Sequence, residues 1–244
     1  MAYSDFKLNE VSQRFGLTVN EASGMFADVP EAECSDLLVT ILGENVDLAV
    51  AINTEKARSE MIISPVLLEI RRKFKGQISL FSAVDFTVDV HQGLNGICDF
   101  IIRHLAKITR TGKMPIPQEL FFLVGWASCP SNKFMETKNE KLKSGLAQCI
   151  AEMVAAQLFN EKQKNEIKSI YGVITIGTIW QFLKLQDKVI SIALSEYYIK
   201  DIKKILGIAV LKRGEVWGRV LCPMPYALCP MPYEHLMLLR KAIS

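Results

Sequence analysis

Three side chains in this sequence have the types and spacing to do hydrolytic chemistry together: Asp99, Glu136 and Lys138. Asp99 is the single carboxylate in the apolar, β-branched run Gly96-Ile97-Cys98-Asp99-Phe100-Ile101-Ile102. Glu136 and Lys138 flank Thr137, so on an extended strand they share one face and Thr137 takes the other. If the two segments pair in one sheet, the three side chains converge. Two carboxylates can hold a hard divalent cation, and a lysine beside them can orient or deprotonate a water. That is the chemistry of metal-assisted phosphodiester hydrolysis. A Glu-x-Lys alone is common on solvated surfaces. The informative member is Asp99, because a carboxylate inside an apolar strand needs a partner or a metal. The bland alternative is a structural pair in which Asp99 accepts hydrogen bonds from backbone or from Lys138.

Composition sets the bounds. The chain has 244 residues, half of them hydrophobic and 23% charged, which suits a globular protein with a substantial core. A net charge of +3 is too small to argue for nucleic acid by itself. No apolar run approaches the roughly 18 residues of a membrane span, so no membrane partner is expected. Met1 to Lys7 lacks the basic start and apolar core of a signal peptide. Six cysteines at these spacings make neither a disulfide framework nor a zinc site. Cys98 and Cys149 read as small buried hydrophobes, and a reducing cytoplasm is the expected setting.

The elements that must position the three residues follow from periodicity. Phe6 to Phe15 predicts a short amphipathic helix ended by Gly16. Asp28-Val29-Pro30 predicts a cap for a second helix stopping near Gly43. Residues 44–72 predict more helix, with Leu48, Ile52, Met61, Ile62, Val66, Leu67 and Ile70 on its packed face and a kink or restart at Pro65. The basic run Arg71-Arg72-Lys73-Phe74-Lys75 reads as helix-dipole placement at a C-terminus. Strands are expected at 77–81, 85–90, 97–102 and 120–124, then at 170–176, 178–185 and 189–194. Gly177 should turn a hairpin between the first two of the last three. Helix is expected at 142–160, with Gln148 and Glu152 together beside its apolar stripe, and again at 196–211. The seven-residue repeat in Cys222-Pro223-Met224-Pro225-Tyr226-Ala227-Leu228-Cys229-Pro230-Met231-Pro232-Tyr233 excludes helix and interior strand. The expected domains are a helical N-terminal region (1–54), an α/β core (55–211) and a Cys/Pro-rich tail (212–244).

The order of these elements resembles the PD-(D/E)xK nuclease superfamily: an acidic helix, a strand holding Asp99, Glu136-x-Lys138, then a helix with Gln148. The likeness is nearest to uncharacterised cyanobacterial members. It rests further on Ser59-Glu60-Met61-Ile62-Ile63-Ser64-Pro65-Val66-Leu67-Leu68-Glu69, on Gly145 to Met153, and on the hairpin from Tyr171 to Phe182. The resemblance implies a restriction-endonuclease-like α/β (α+β) fold, a mixed central sheet flanked by helices. It also implies Mg²⁺- or Mn²⁺-dependent cleavage of DNA, with Asp99 and Glu136 as metal ligands. Lys138 would orient the water or stabilise transition-state charge, and Gln148 would contact substrate or the lysine. A helical carboxylate, Glu60 or Glu69, would complete the shell. Nine positions apart on a regular helix they face opposite sides, and Glu60 is the expected one. A homodimer fits this reading.

One segment bears on the motif directly. The apolar run Leu120 to Val124 is separated from Glu136 by Gly125 to Lys133, which has loop chemistry. The motif keeps its facing only if that insertion bulges out without shifting register. The expected functions are therefore a metal-dependent DNA endonuclease or, alternatively, a catalytically inactive nuclease-fold module binding nucleic acid or protein.

Overall fold

The computed structural model describes residues 2–104, 119–126, 138–164 and 169–210, with backbone alone for 104, 119–126 and 138–144. In chain order the elements are α1 (Leu8–Phe15), β1 (Thr18–Ala22), α2 (Asp36–Ile52), α3 (Glu55–Arg58), a π turn (Ser59–Ile63) and α4 (Ser64–Lys73). There follow β2 (Ile78–Asp85), β3 (Ile97–His104), β4 (Glu119–Trp126), α5 (Lys138–Lys162), β5 (Ser169–Thr175), β6 (Ile179–Gln186) and β7 (Val189–Ala193). The two-residue β8 (Tyr197–Tyr198) and α6 (Ile202–Ala209) close the described chain.

The strands form one mixed sheet in the order β1-β7-β6-β5-β4-β3-β2, with β8 added beside β6. Neighbours are antiparallel except β1–β7 and β4–β5, which are parallel. Side chains alternating along each strand feed two cores. Ile101, Ile170, Ile174 and Leu183 pack with α1 and α5 on one face. Phe100, Ile102, Tyr171, Val173, Trp180 and Phe182 pack with α2, the π turn, α4 and α6 on the other. The molecule is thus mixed α/β in three layers. Central strand β5 is buried at every residue, which is why it reads as a continuous apolar run and not as an alternation.

Helix α5 can lie this close to β5 because of Gly172. A Cβ there would sit 2.6 Å from Met153 Sδ and 2.8 Å from Cys149 Sγ. Gly172→Ala is therefore expected to cost about 1–3 kcal/mol by overpacking. Adding Cys149→Ala should recover part of the loss in a denaturant-unfolding cycle.

Several expectations are corrected by the backbone. The second helix neither starts at Pro30 nor stops at Gly43. Ser35 caps it, its Oγ accepting from Leu38 N–H at 3.3 Å, and it runs to Asn53, which takes the left-handed conformation at φ 55°. Burial of Leu38, Leu42 and Ala49 outweighs the modest helix cost of one glycine. Leu48 and Ile52, expected in the packed face, are instead exposed, while Ile62, Val66, Leu67 and Ile70 are buried as expected. Pro65 is accommodated by the π turn ahead of it, where Ser64 N–H reaches back five residues to Ser59 C=O. Of the strand expected at 85–90 only Asp85 is strand, as the end of β2, and the rest is a loop closed by the Asp89–Leu94 bridge. The stretch from Glu196 opens as β8 before helix begins at Ile202. The N-terminal region is not purely helical, since β1 joins the sheet. The β5–β6 hairpin turns as expected on Gly177 at φ 83°. The C-terminal repeat lies outside the described residues.

Candidate functional site

Asp99 lies on β3, half-buried, between buried Cys98 and Phe100. Two further carboxylates come within electrostatic reach of it. Glu55, in the first turn of α3, is positioned by its neighbour Thr54, whose Oγ1 caps that helix by accepting from Ala57 N–H at 3.2 Å. Burial and then the Asp99 charge push the Glu55 carboxyl above its usual range. Glu152, on α5, is fully buried. Its Oε1 accepts from Gln148 Nε2 at 3.0 Å, and its Oε2 has no hydrogen-bond partner among the described residues. Burial raises its carboxyl most. The Asp99 charge adds to this, and the Gln148 amide and Cys98 thiol oppose it, for a net value of about 8. Cys98 and Cys149 are both buried thiols, and burial raises both.

The other expected site residues fall as follows. Lys138 is the first residue of α5 and not a strand position, so the strand-alternation argument for Glu136 and Lys138 does not describe it. Glu136 lies outside the described residues, as does most of the segment before it. Gln148 is half-buried on α5 and engaged with Glu152. Glu60 sits in the π turn with its side chain 63% exposed, 3.7 Å from Lys56 Nζ. Glu69 is buried in a structural cluster with Ser35 and Arg72. On the α2–α4 side of the sheet, the helical carboxylate that senses Asp99 is Glu55 and not Glu60. Sequence reasoning missed it, although the signal was present: Thr54-Glu55 is a cap followed by an acid in the first turn. Glu152 was seen only as the helical neighbour of Gln148.

Among the described residues no group of three His, Cys, Asp or Glu is arranged to hold a metal ion. Asp99, Glu55 and Glu152 are oxygen donors, the kind that suit Mg²⁺ or Mn²⁺ and not zinc, but they are not brought together as a ligand set. Among the described residues no helix is long and apolar enough to cross a membrane.

The fold and this cluster define a mixed α/β protein with carboxylates drawn from a strand and from helices on both sheet faces. Neither a protein-family model nor a curated protein matches the chain.

Proposed function

We propose that this chain is a Mg²⁺- or Mn²⁺-dependent endonuclease-like protein that hydrolyses DNA phosphodiester bonds on a restriction-endonuclease-like core. The observation that carries the reading is Asp99, a half-buried strand carboxylate whose charge is felt by Glu55 on one helix and Glu152 on another. Carboxylates within electrostatic reach of one another repel unless a cation or protons offset the charge. The order α4, β2, β3, β4, α5, β5, with β4 and β5 parallel, supports the same reading.

In this reading Asp99 and Glu136 hold the cation, and Glu55 takes the helical role first given to Glu60. The cation would supply Lewis acidity and lower the pKa of a bound water. Lys138 would stabilise charge on the phosphate, and Gln148, steadied by Glu152, would border the substrate. A second reading, the inactive nuclease-fold interaction module, is favoured by the position of Lys138 at the start of a helix.

The test is incubation of the full chain with supercoiled plasmid and Mg²⁺ or Mn²⁺, beside Asp99→Ala and Lys138→Ala. Metal-dependent nicking that disappears in both variants is expected. Folded protein that binds DNA yet leaves the plasmid intact with either metal would favour the second reading.

A further inference from the structure

One charged side chain near the Asp99 end of the sheet has no part in the chemistry assigned so far. Arg58, the last residue of α3, lies one helical turn after Glu55, so the two project from the same side of that helix. It sits beside the turn between β5 and β6, where a Cβ on Gly177 would stand 3.5 Å from Arg58 Cβ. Its guanidinium is held at two points. Nη1 donates to Ile176 C=O at 3.1 Å, and Nη2 donates to Asn53 Oδ1 at 3.1 Å. Asn53 is the left-handed residue that ends α2, and Ile176 follows the end of β5.

Both acceptors are neutral. Among the described residues no carboxylate forms an ion pair with Arg58. Glu55, on the same side of α3, is pushed up by burial and by Asp99 and gains nothing from the arginine. The fork is therefore fixed in orientation with its charge left over. Holding a half-buried cation on neutral partners is unfavourable for stability alone, and burial pushes the Arg58 pKa down. A planar guanidinium with N–H donors to spare is the group that best matches a phosphate.

Sheet register places this fork relative to Asp99. Phe100 pairs with Val124 and Val124 with Val173, so Asp99 lies level with Ile174, two strands away and two residues short of Ile176. At about 4.8 Å per strand, roughly 10 Å sideways separates the backbone that carries Asp99 from the strand that anchors Arg58. A phosphate held by Arg58 is then a neighbour of one at Asp99 and not the same group.

We propose that Arg58 binds a DNA backbone phosphate flanking the one at Asp99, and so sets the path of the strand across this end of the sheet. The choice of ligand rests on the endonuclease-like reading, but the contact itself needs no metal.

Fluorescence anisotropy of a labelled DNA duplex against the full chain in EDTA, repeated across a salt series, tests it. Arg58→Gln should raise the Kd about five- to tenfold and reduce the slope of log K against log salt by about 1. Arg58→Lys keeps the charge but not the fork that meets both Ile176 and Asn53. It should retain the wild-type slope, whereas a purely structural arginine predicts that lysine behaves like glutamine. Arg71→Gln is the control. It removes the same charge from an exposed site at the end of α4, which leads into β2 at the opposite end of the sheet, and should change the Kd less than about twofold. Equal losses in Arg58→Gln and Arg71→Gln would reduce the effect to net charge and overturn the proposal. An unchanged slope in Arg58→Gln, a lysine variant that matches glutamine, or a wild type that binds no duplex overturns it too. Plasmid nicking keeps the two readings apart. Binding that depends on Arg58 in a protein that never nicks retains the phosphate contact without the hydrolysis, and nicking by a protein whose binding ignores Arg58 does the reverse.

Discussion

Glu152→Gln is expected to stabilise the protein at pH 7 by roughly 2–3 kcal/mol, against the usual direction of core substitutions. Burial pushes the Glu152 carboxyl up to about 8, while in the unfolded chain it ionises near its ordinary value of 4.5. Below that lower value both states hold the proton, and the group's contribution is fully present. Between the two, only the unfolded state releases a proton, so stability falls as pH rises through this window. Glutamine keeps the acceptor for Gln148 Nε2 and cannot ionise. Denaturant unfolding at several pH values should show wild type and variant converging near pH 4 and separating toward pH 8. Curves that stay parallel would show that Glu152 is ionised in the folded protein.

Glu69→Ala should act in the opposite sense, costing about 2–3 kcal/mol near neutrality. Its carboxylate accepts from Ser35 Oγ at 2.9 Å, from Ser35 N–H at 3.3 Å and from Arg72 Nη1 at 2.8 Å, with Lys73 Nζ at 3.9 Å. Burial alone would raise the carboxyl pKa. The Ser35 and Arg72 hydrogen bonds and the Lys73 charge together outweigh it and hold the group below its ordinary value. This contribution is present above the unfolded value and is lost as pH falls through the folded one. Alanine should therefore flatten the acid limb of the stability profile, read by thermal melts at descending pH. A variant with an unchanged acid limb would remove Glu69 from the account. Together the two glutamates set opposing slopes, one lost in acid and the other toward base.

Much of the sheet was legible because its strands are apolar runs bounded by turn residues. Gly177 marked the hairpin, and the stripe on α5 marked the helix that covers β5. What failed to read was phase and competition. The π turn at Ser59–Ile63 rotates everything before it by about one residue relative to α4. Counting nine positions from Glu60 to Glu69 therefore did not reveal that Glu55 is the acid within electrostatic reach of Asp99. Lys138-Asn139-Glu140-Lys141-Leu142 is rich in helix formers, and helix claimed Lys138 although the Glu-x-Lys pattern suggested strand. Gly43 looked like a stop because local propensity cannot register the packing of Leu38, Leu42 and Ala49. Of the expected catalytic residues, Asp99 was legible for the same reason that it is informative: it is charged where its neighbours are apolar.

The pairing of β1 with β7 has a consequence for biogenesis. Thr18 lies opposite Val189, so β1 must wait for a segment far along the chain before it finds its place. Such distant closure slows acquisition of the native topology and leaves the margin of β7 unprotected until β1 docks. Proteolytic loss of β1 would thus move the sheet's border inward from a short, mostly polar strand to the more apolar β7.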